Sequence, residues 1–276
     1  MNEDWRRNPD IIEGEFEIID ERDAKPKDTN RGYTKQNNTN KRRTDQGGPK
    51  GQFIKTDTKP PYVSYTLLGA NIIIWLLMSF FGIIFKWDQN LQLLVFGAKV
   101  NVLVAQGQYW RLFSAMFLHI GLLHLLFNCY ALYIYGPAVE KLYGKVKFTL
   151  VYIVSGLMGS LLSYTFSPRP AAGASGAIFG LLGSLLYFRK ERKSLFQRAF
   201  GPGLVMIIVI NLMFGFIQPG IDNWGHIGGL LGGYLMGHGL GLYKDKETEF
   251  WKKILVWLLV IFIFLIGMLF GQIKYM

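Results

Sequence analysis

"WGHIGGLLGGYLMG", Trp224 to Gly237, sets one histidine into an apolar stretch where glycine recurs at every turn. Gly229 with Gly233, Gly228 with Gly232 and Gly233 with Gly237 form GxxxG pairs. That spacing lets membrane helices approach closely, because no side chain stands between the backbones. An imidazole in hydrocarbon is costly and usually marks a functional position. The stretch therefore reads as a helix packed tightly inside a membrane bundle, with His226 at its outer end.

Around it lie six more apolar segments. A bilayer core about 30 Å thick needs roughly 20 apolar helical residues, since backbone groups must be paired within the segment. The candidate spans run from Tyr62 to Phe85, Leu112 to Gly136, Phe148 to Phe166, Ala171 to Phe188, Gly201 to Gln218, Trp224 to Tyr243 and Ile254 to Tyr275. Here they are spans one to seven. Spans four and five are short and rich in small residues, which predicts central positions surrounded by protein.

The 276-residue chain is 50% hydrophobic and carries a net charge of +11. Residues 1–61 are polar and read as a disordered cytoplasmic tail; "IIEGEFEII", Ile11 to Ile19, alternates like a strand but is too short to stand alone. With no signal-peptide stretch in that tail, span one is expected to direct insertion in place of a cleaved leader. Residues 62–243 form a six-helix core and 244–276 a seventh span. Lys and Arg collect in the tail and in alternate loops, at Lys141 to Lys147, Arg189 to Arg198 and Lys244 to Lys253. The positive-inside rule then puts the N-terminus in the cytoplasm and the C-terminus outside. Membrane topology accounts for the charge better than nucleic acid does, so the bilayer is the expected partner. The orientation fits a bacterial cell membrane. A single cysteine, Cys129, excludes an intrachain disulfide and a multi-cysteine metal site, and reads as a small buried side chain. The long, apolar outer connection from Lys86 to Arg111 is expected to fold partly into the outer leaflet.

Polar groups inside the spans include His119, His124, Asn128, Ser175, Asn211 and His226. In "HIGLLHLLFN", His124 and Asn128 are four residues apart and share a helical face; interhelical packing would also explain either one alone. In "GASGAIFG", Gly173 to Gly180, Ser175 stands among small residues, a string that by itself fits close packing as well as catalysis. A serine hydroxyl becomes a competent nucleophile once a base lies within about 2.6–3.2 Å. Glycine-faced spans four and six could bring Ser175 and His226 that near, both just beneath the outer surface. Asn128, His124 and the Ser175 N–H could then donate to an oxyanion. With span two drawn from Leu112, however, His124 and Asn128 fall deeper than Ser175. Asp222, four residues before His226, reads as a helix cap ahead of a third triad member.

In their order on alternate spans, "HLLFN", "GASG" and "WGHIGG", with "YWR" at Tyr109 to Arg111, resemble the rhomboid family of intramembrane serine proteases. The resemblance covers about Tyr62 to Tyr243. It implies an all-α, rhomboid-like six-helix transmembrane bundle, to which the seventh span is appended. It further implies a Ser175–His226 dyad without a carboxylate, Asn128 and His124 as oxyanion donors, and no cofactor or metal. Trp110 and Arg111 would anchor the outer loop, Phe179 would pack on the catalytic imidazole, and Glu140 would be structural at the inner end of span two. His119 would hydrogen-bond the outer loop. Gly173 and Gly229 are the close-packing positions beside the site. Gly225 departs from the family's frequent alanine before the histidine, a change of small for small. The implied partners are transmembrane protein substrates. Other readings are an inactive relative that binds membrane clients and a transporter, although no internal repeat of the transporter kind is detected. Oligomeric state is not legible.

Overall fold

The apolar segments fold as helices, and glycine stands at the end of some of them, as Gly144 and Gly241 do. The computed structural model describes residues 59–218, 220–243 and 250–276; the Ile11 to Ile19 segment and almost all of the tail lie outside them. In chain order the helices are α1 (Tyr62–Phe85), α2 (Gln89–Phe96), α3 (Asn101–Ala105), α4 (Arg111–Ser114), α5 (Gly121–Tyr143) and α6 (Lys145–Phe166). They continue with α7 (Ser175–Glu191), α8 (Lys193–Phe200), α9 (Gly203–Ile217), α10 (Asn223–Leu240) and α11 (Phe250–Tyr275).

Of these, α1, α5, α6 and α11 are each long and apolar enough to cross a membrane. The pair α8–α9, bent by 74°, gives a fifth span if counted as one. Helices thus stand at the positions of the expected six-plus-one arrangement, while length and composition alone qualify four or five as spans. The shortfall has a packing reason. α7 is enclosed, with Leu181 and Leu185 wholly buried, and α10 packs against both α6 and α7. A helix lined by other helices does not need a long lipid-facing surface. α9 departs from expectation: Met206, Met213 and Phe216 are exposed along it, so its small size does not make it central.

Span two is also corrected. The chain runs α4, then a 3₁₀ turn over Ala115–Phe117, then an extended Leu118 with ψ 147°, and the helix restarts at Gly121 with φ 75°. A positive φ is cheap only for glycine, so the break sits there. The long connection before α4 is folded and contains α2 and α3. Arg111, 6% exposed, holds it by donating from Nη1 to the carbonyls of Leu94 at 2.8 Å and Ala98 at 3.1 Å, and from Nε to Gln108 Oε1 at 2.7 Å. Trp110 packs where Gly97 lacks a side chain. Cys129 is only half-buried, on the flank of α5.

At the opposite end, the Glu140 carboxylate of α5 accepts from Val63 N at 3.1 Å, Ser64 N at 2.8 Å and Ser64 Oγ at 2.7 Å. The two N–H groups belong to the first turn of α1, where they have no intrahelical acceptor and carry the positive end of the helix dipole. Glu140 is thus structural. Glu140→Ala is expected to lower stability by about 2–3 kcal/mol, because two buried donors and one partly buried donor lose a charged acceptor. Thermal unfolding in detergent micelles reads the loss. The seventh span, α11, docks through Gln272 Nε2 donating to Ala105 O at 2.7 Å and Lys274 Nζ donating to Thr165 O at 3.2 Å. Its Gly271 faces the Tyr164 ring.

Candidate active site

The seam between α7 and α10 is made by glycine. Gly229 meets the Gly176 carbonyl and Gly233 the Gly180 carbonyl, with no room at either for a Cβ. On α6, a Cβ on Gly159 would stand 2.7 Å from Gly225 O. With backbones in contact, short side chains near the start of each helix can meet. Ser175 is the first residue of α7 and His226 lies in the first turn of α10. His226 Nε2 and Ser175 Oγ stand 3.0 Å apart, inside the reach a base needs to activate a hydroxyl.

The imidazole is fixed from one side by Phe179, whose ring stacks on it with centroids 4.3 Å apart and planes 13° from parallel. Phe179 follows Ser175 by one helical turn, so nucleophile candidate and ring platform come from one face of α7. His226 Nδ1 is buried and bonds no group among the described residues. The Asp222 carboxylate instead accepts from Gly225 N at 3.2 Å, as the N-cap of α10. The capping reading of Asp222 holds on geometry.

His124 reaches the same place because α5 restarts at Gly121. It sits in the first turn, which removes the depth mismatch expected from a helix starting at Leu112. Its Nδ1 accepts from Ile120 N at 3.3 Å, which leaves Nε2 for the site. A Cβ on Gly173 would lie 3.0 Å from His124 Nε2 and 3.6 Å from Ser175 Oγ, so both groups border the space that Gly173 leaves open. Asn128, one turn deeper, donates from Nδ2 to His124 O at 2.8 Å; this bond uses one of its two amide protons. The α7 N-terminus has no side-chain cap. Its first N–H groups lack intrahelical acceptors and form a natural anion cradle beside Ser175.

Gly173 has φ 146°, a conformation a side chain resists. Gly173→Ala would put its Cβ 2.8 Å from His124 Cε1 as well. We expect a stability loss of about 1–3 kcal/mol, read by thermal unfolding in detergent micelles.

Behind Ser175 a cavity of about 40 Å³ is lined by Ser160, Ser163, Gly176 and Asp222 among others, room for about one water. Among the described residues no group of three or more His, Cys, Asp or Glu side chains is placed to hold a metal ion.

Other expectations fare differently. Among the described residues His119 makes no hydrogen bond to the outer loop; its ring packs against that of His124 at 5.3 Å, a contact set by the turn at Ile120 and Gly121 and invisible in residue spacing. Asn211 donates to Ile207 O within α9, and His238 lies between the Tyr187 and Tyr234 rings, both ordinary packing. Sequence reasoning missed Lys99. It is fully buried and donates from Nζ to Asn101 Oδ1 at 2.8 Å and Arg169 O at 2.7 Å. Burial pushes its ammonium down to about 8, with the Asp222 carboxylate opposing the shift. Even the neutral amine keeps two N–H bonds for these two acceptors. The signal was available: a lone lysine inside "FGAKVNVLV" is as costly as a histidine inside a span.

Known proteins resemble this chain over most of its apolar part. Residues 106–243 match the Rhomboid domain family. Rhomboid protease GluP of Bacillus subtilis is 46% identical over 202 residues, which cover 73% of this chain and 39% of that protein. Putative rhomboid protease YdcA of the same organism is 32% identical over 179 residues, 64% of this chain and 86% of the relative. RHOMBOID-like protein 1 of Arabidopsis thaliana is 40% identical over 141 residues, 50% of this chain and 36% of the relative. The chain therefore spans well under half the length of two of these three relatives.

Proposed function

Because the chain belongs to the rhomboid family, we propose that it is an intramembrane serine endopeptidase that cuts transmembrane segments of other membrane proteins. The observation that carries this reading is the 3.0 Å approach of His226 Nε2 to Ser175 Oγ at one end of the bundle. In the proposed reaction Ser175 Oγ attacks the scissile carbonyl carbon as His226 Nε2 takes its proton. For Nε2 to accept, the ring proton must start on Nδ1. The C–N bond breaks and the proton passes from Nε2 to the departing amine. A water then repeats the sequence, hydrolysing the acyl-enzyme and restoring Ser175.

The oxyanion formed in each step would be held by the Ser175 N–H, His124 Nε2–H and the free amide proton of Asn128. Such donors supply the largest single contribution in acyl transfer. No carboxylate is required in this scheme, since Phe179 fixes the ring and Asp222 is occupied as a cap. Six helices, α1, α5, α6, α7, α9 and α10, form the catalytic bundle, and α11 is an added span. Basic residues in alternate loops support a cytoplasmic N-terminus and an outer-facing site, in keeping with a bacterial cell membrane. Substrates would be cut near the outer face, after a small residue, where a substrate helix unwinds most readily.

The test is purified protein in liposomes with a single-span substrate, its products mapped by mass spectrometry. Cleavage within the outer part of the substrate span is expected. Binding of the substrate with no product would replace the protease reading with that of a client-binding relative.

A further inference from the structure

The loop that delivers Ser175 is held from the side by a segment far away in sequence. Lys99 and Ala171 form an antiparallel bridge, with Lys99 N donating to Ala171 O at 2.9 Å and Ala171 N to Lys99 O at 3.0 Å. Lys99 Nζ takes the Arg169 carbonyl at 2.7 Å, and Asn101 Nδ2 takes the Ser167 carbonyl at 2.7 Å. Lys99 Nζ also donates to Asn101 Oδ1 at 2.8 Å, so the two side chains brace each other. Carbonyls at 167, 169 and 171 are thereby all taken up by residues 99 and 101. Shortly afterwards the chain passes Ala174 into Ser175. Gly173 N, in between, donates to Ala115 O at 2.9 Å.

The bracing segment is itself immobilised on both sides. Arg111 grips the Leu94 and Ala98 carbonyls, Ser114 Oγ donates to Gly97 O at 2.6 Å, and Gln272 of α11 holds Ala105 at the end of α3. A continuous run of hydrogen bonds thus leads from the Trp110–Arg111 element through residues 97–101 to the serine loop. Lys99 is 0% exposed and Asn101 5%. Burying an ammonium is expensive unless it is fully bonded, and an apolar residue at 99 would support the backbone bridge equally well. The extra cost is explained if the geometry of the loop is what the lysine secures.

The geometry points to Lys99 and Asn101 as positioning residues: a buried polar clamp that sets the loop 167–174, and through it the placement of Ser175 Oγ against His226 and the oxyanion donors. The inference rests on the protease reading and deepens it. A hydroxyl displaced by about 1 Å loses roughly 10²-fold in rate. Lys99→Met keeps the length and apolar stem but frees the Arg169 carbonyl. Asn101→Asp keeps the acceptor for Lys99 but loses the donor to Ser167.

The experiment compares wild type, Lys99→Met and Asn101→Asp, full chain in detergent micelles. It measures unfolding temperature, kcat and KM on a transmembrane substrate, and the rate of labelling by a fluorophosphonate. Each variant is expected to lose about 10-fold or more in kcat and in labelling rate. KM should stay within about twofold of wild type, since the clamp touches no substrate. A merely structural role would lower the yield and unfolding temperature while leaving kcat of the folded fraction intact. If Lys99→Met does not fold, Asn101→Asp alone decides. Wild-type kcat and labelling in the folded variants would overturn the clamp while leaving the protease reading untouched. Wild-type protein that neither cleaves nor labels would overturn both.

Discussion

Alanine at His226 is expected to lower kcat by on the order of 10³-fold or more, and alanine at both His226 and Ser175 to lower it no further than Ser175→Ala alone. The reason is chemical. A serine hydroxyl at neutral pH holds its proton, and the imidazole 3.0 Å away is the group placed to take it. Removing either member removes the same step, so the losses do not add. KM should move little, because in this account both side chains act in the transition state and neither holds the bound substrate in the ground state. Cleavage of a fluorescent transmembrane substrate in liposomes, with initial rates over a range of substrate densities, separates the two parameters. Equal multiplicative losses in the double variant would mean that the two residues act independently.

Leucine at Gly229 should do comparable damage by a different route. Its side chain would enter the Gly176 carbonyl across the α7–α10 seam. Overpacking a close contact costs about 1–3 kcal/mol or more, and the helices can relieve it only by moving apart. Ser175 and His226 lie at the top of that seam, so a shift of about 1 Å there is expected to remove about 10²-fold or more of kcat/KM. The unfolding temperature should drop as well. Leucine at Gly69 is the control: that glycine lies on α1, where an added Cβ would meet no atom within 4 Å, and cleavage should be unchanged. Retained activity in Gly229→Leu would mean that the close helix contact is not what joins the pair.

Much of this arrangement is legible in the sequence. α1 occupies the span expected for it, because an uncharged, largely apolar run between Pro61 and Lys86 has unambiguous ends. The α7–α10 contact follows from glycine spacing, since a GxxxG row opposite small residues leaves backbones nothing else to touch. Ser175, His226 and Phe179 are together for that reason. The depth of His124 is not legible. Leu118, His119 and Ile120 are compatible with continuous helix, and only the extended backbone before Gly121 shows that the helix begins anew. Nor can the exposure of α9 be read, because a short apolar helix looks the same whether lipid or protein surrounds it. Lys99 is legible as a buried charge but not as a clamp, since its partner carbonyl at Arg169, like that of Asn101 at Ser167, is set by a backbone bridge to a segment some seventy residues away.

The central claim is that Ser175 is an activated nucleophile inside the membrane bundle. Treating the purified protein with a fluorophosphonate and locating the adduct by peptide mass spectrometry addresses it without any knowledge of the natural substrate. The account predicts one phosphonylated residue, Ser175, with modification nearly absent in His226→Ala. An adduct on another side chain, or undiminished labelling once position 175 is alanine, would contradict it.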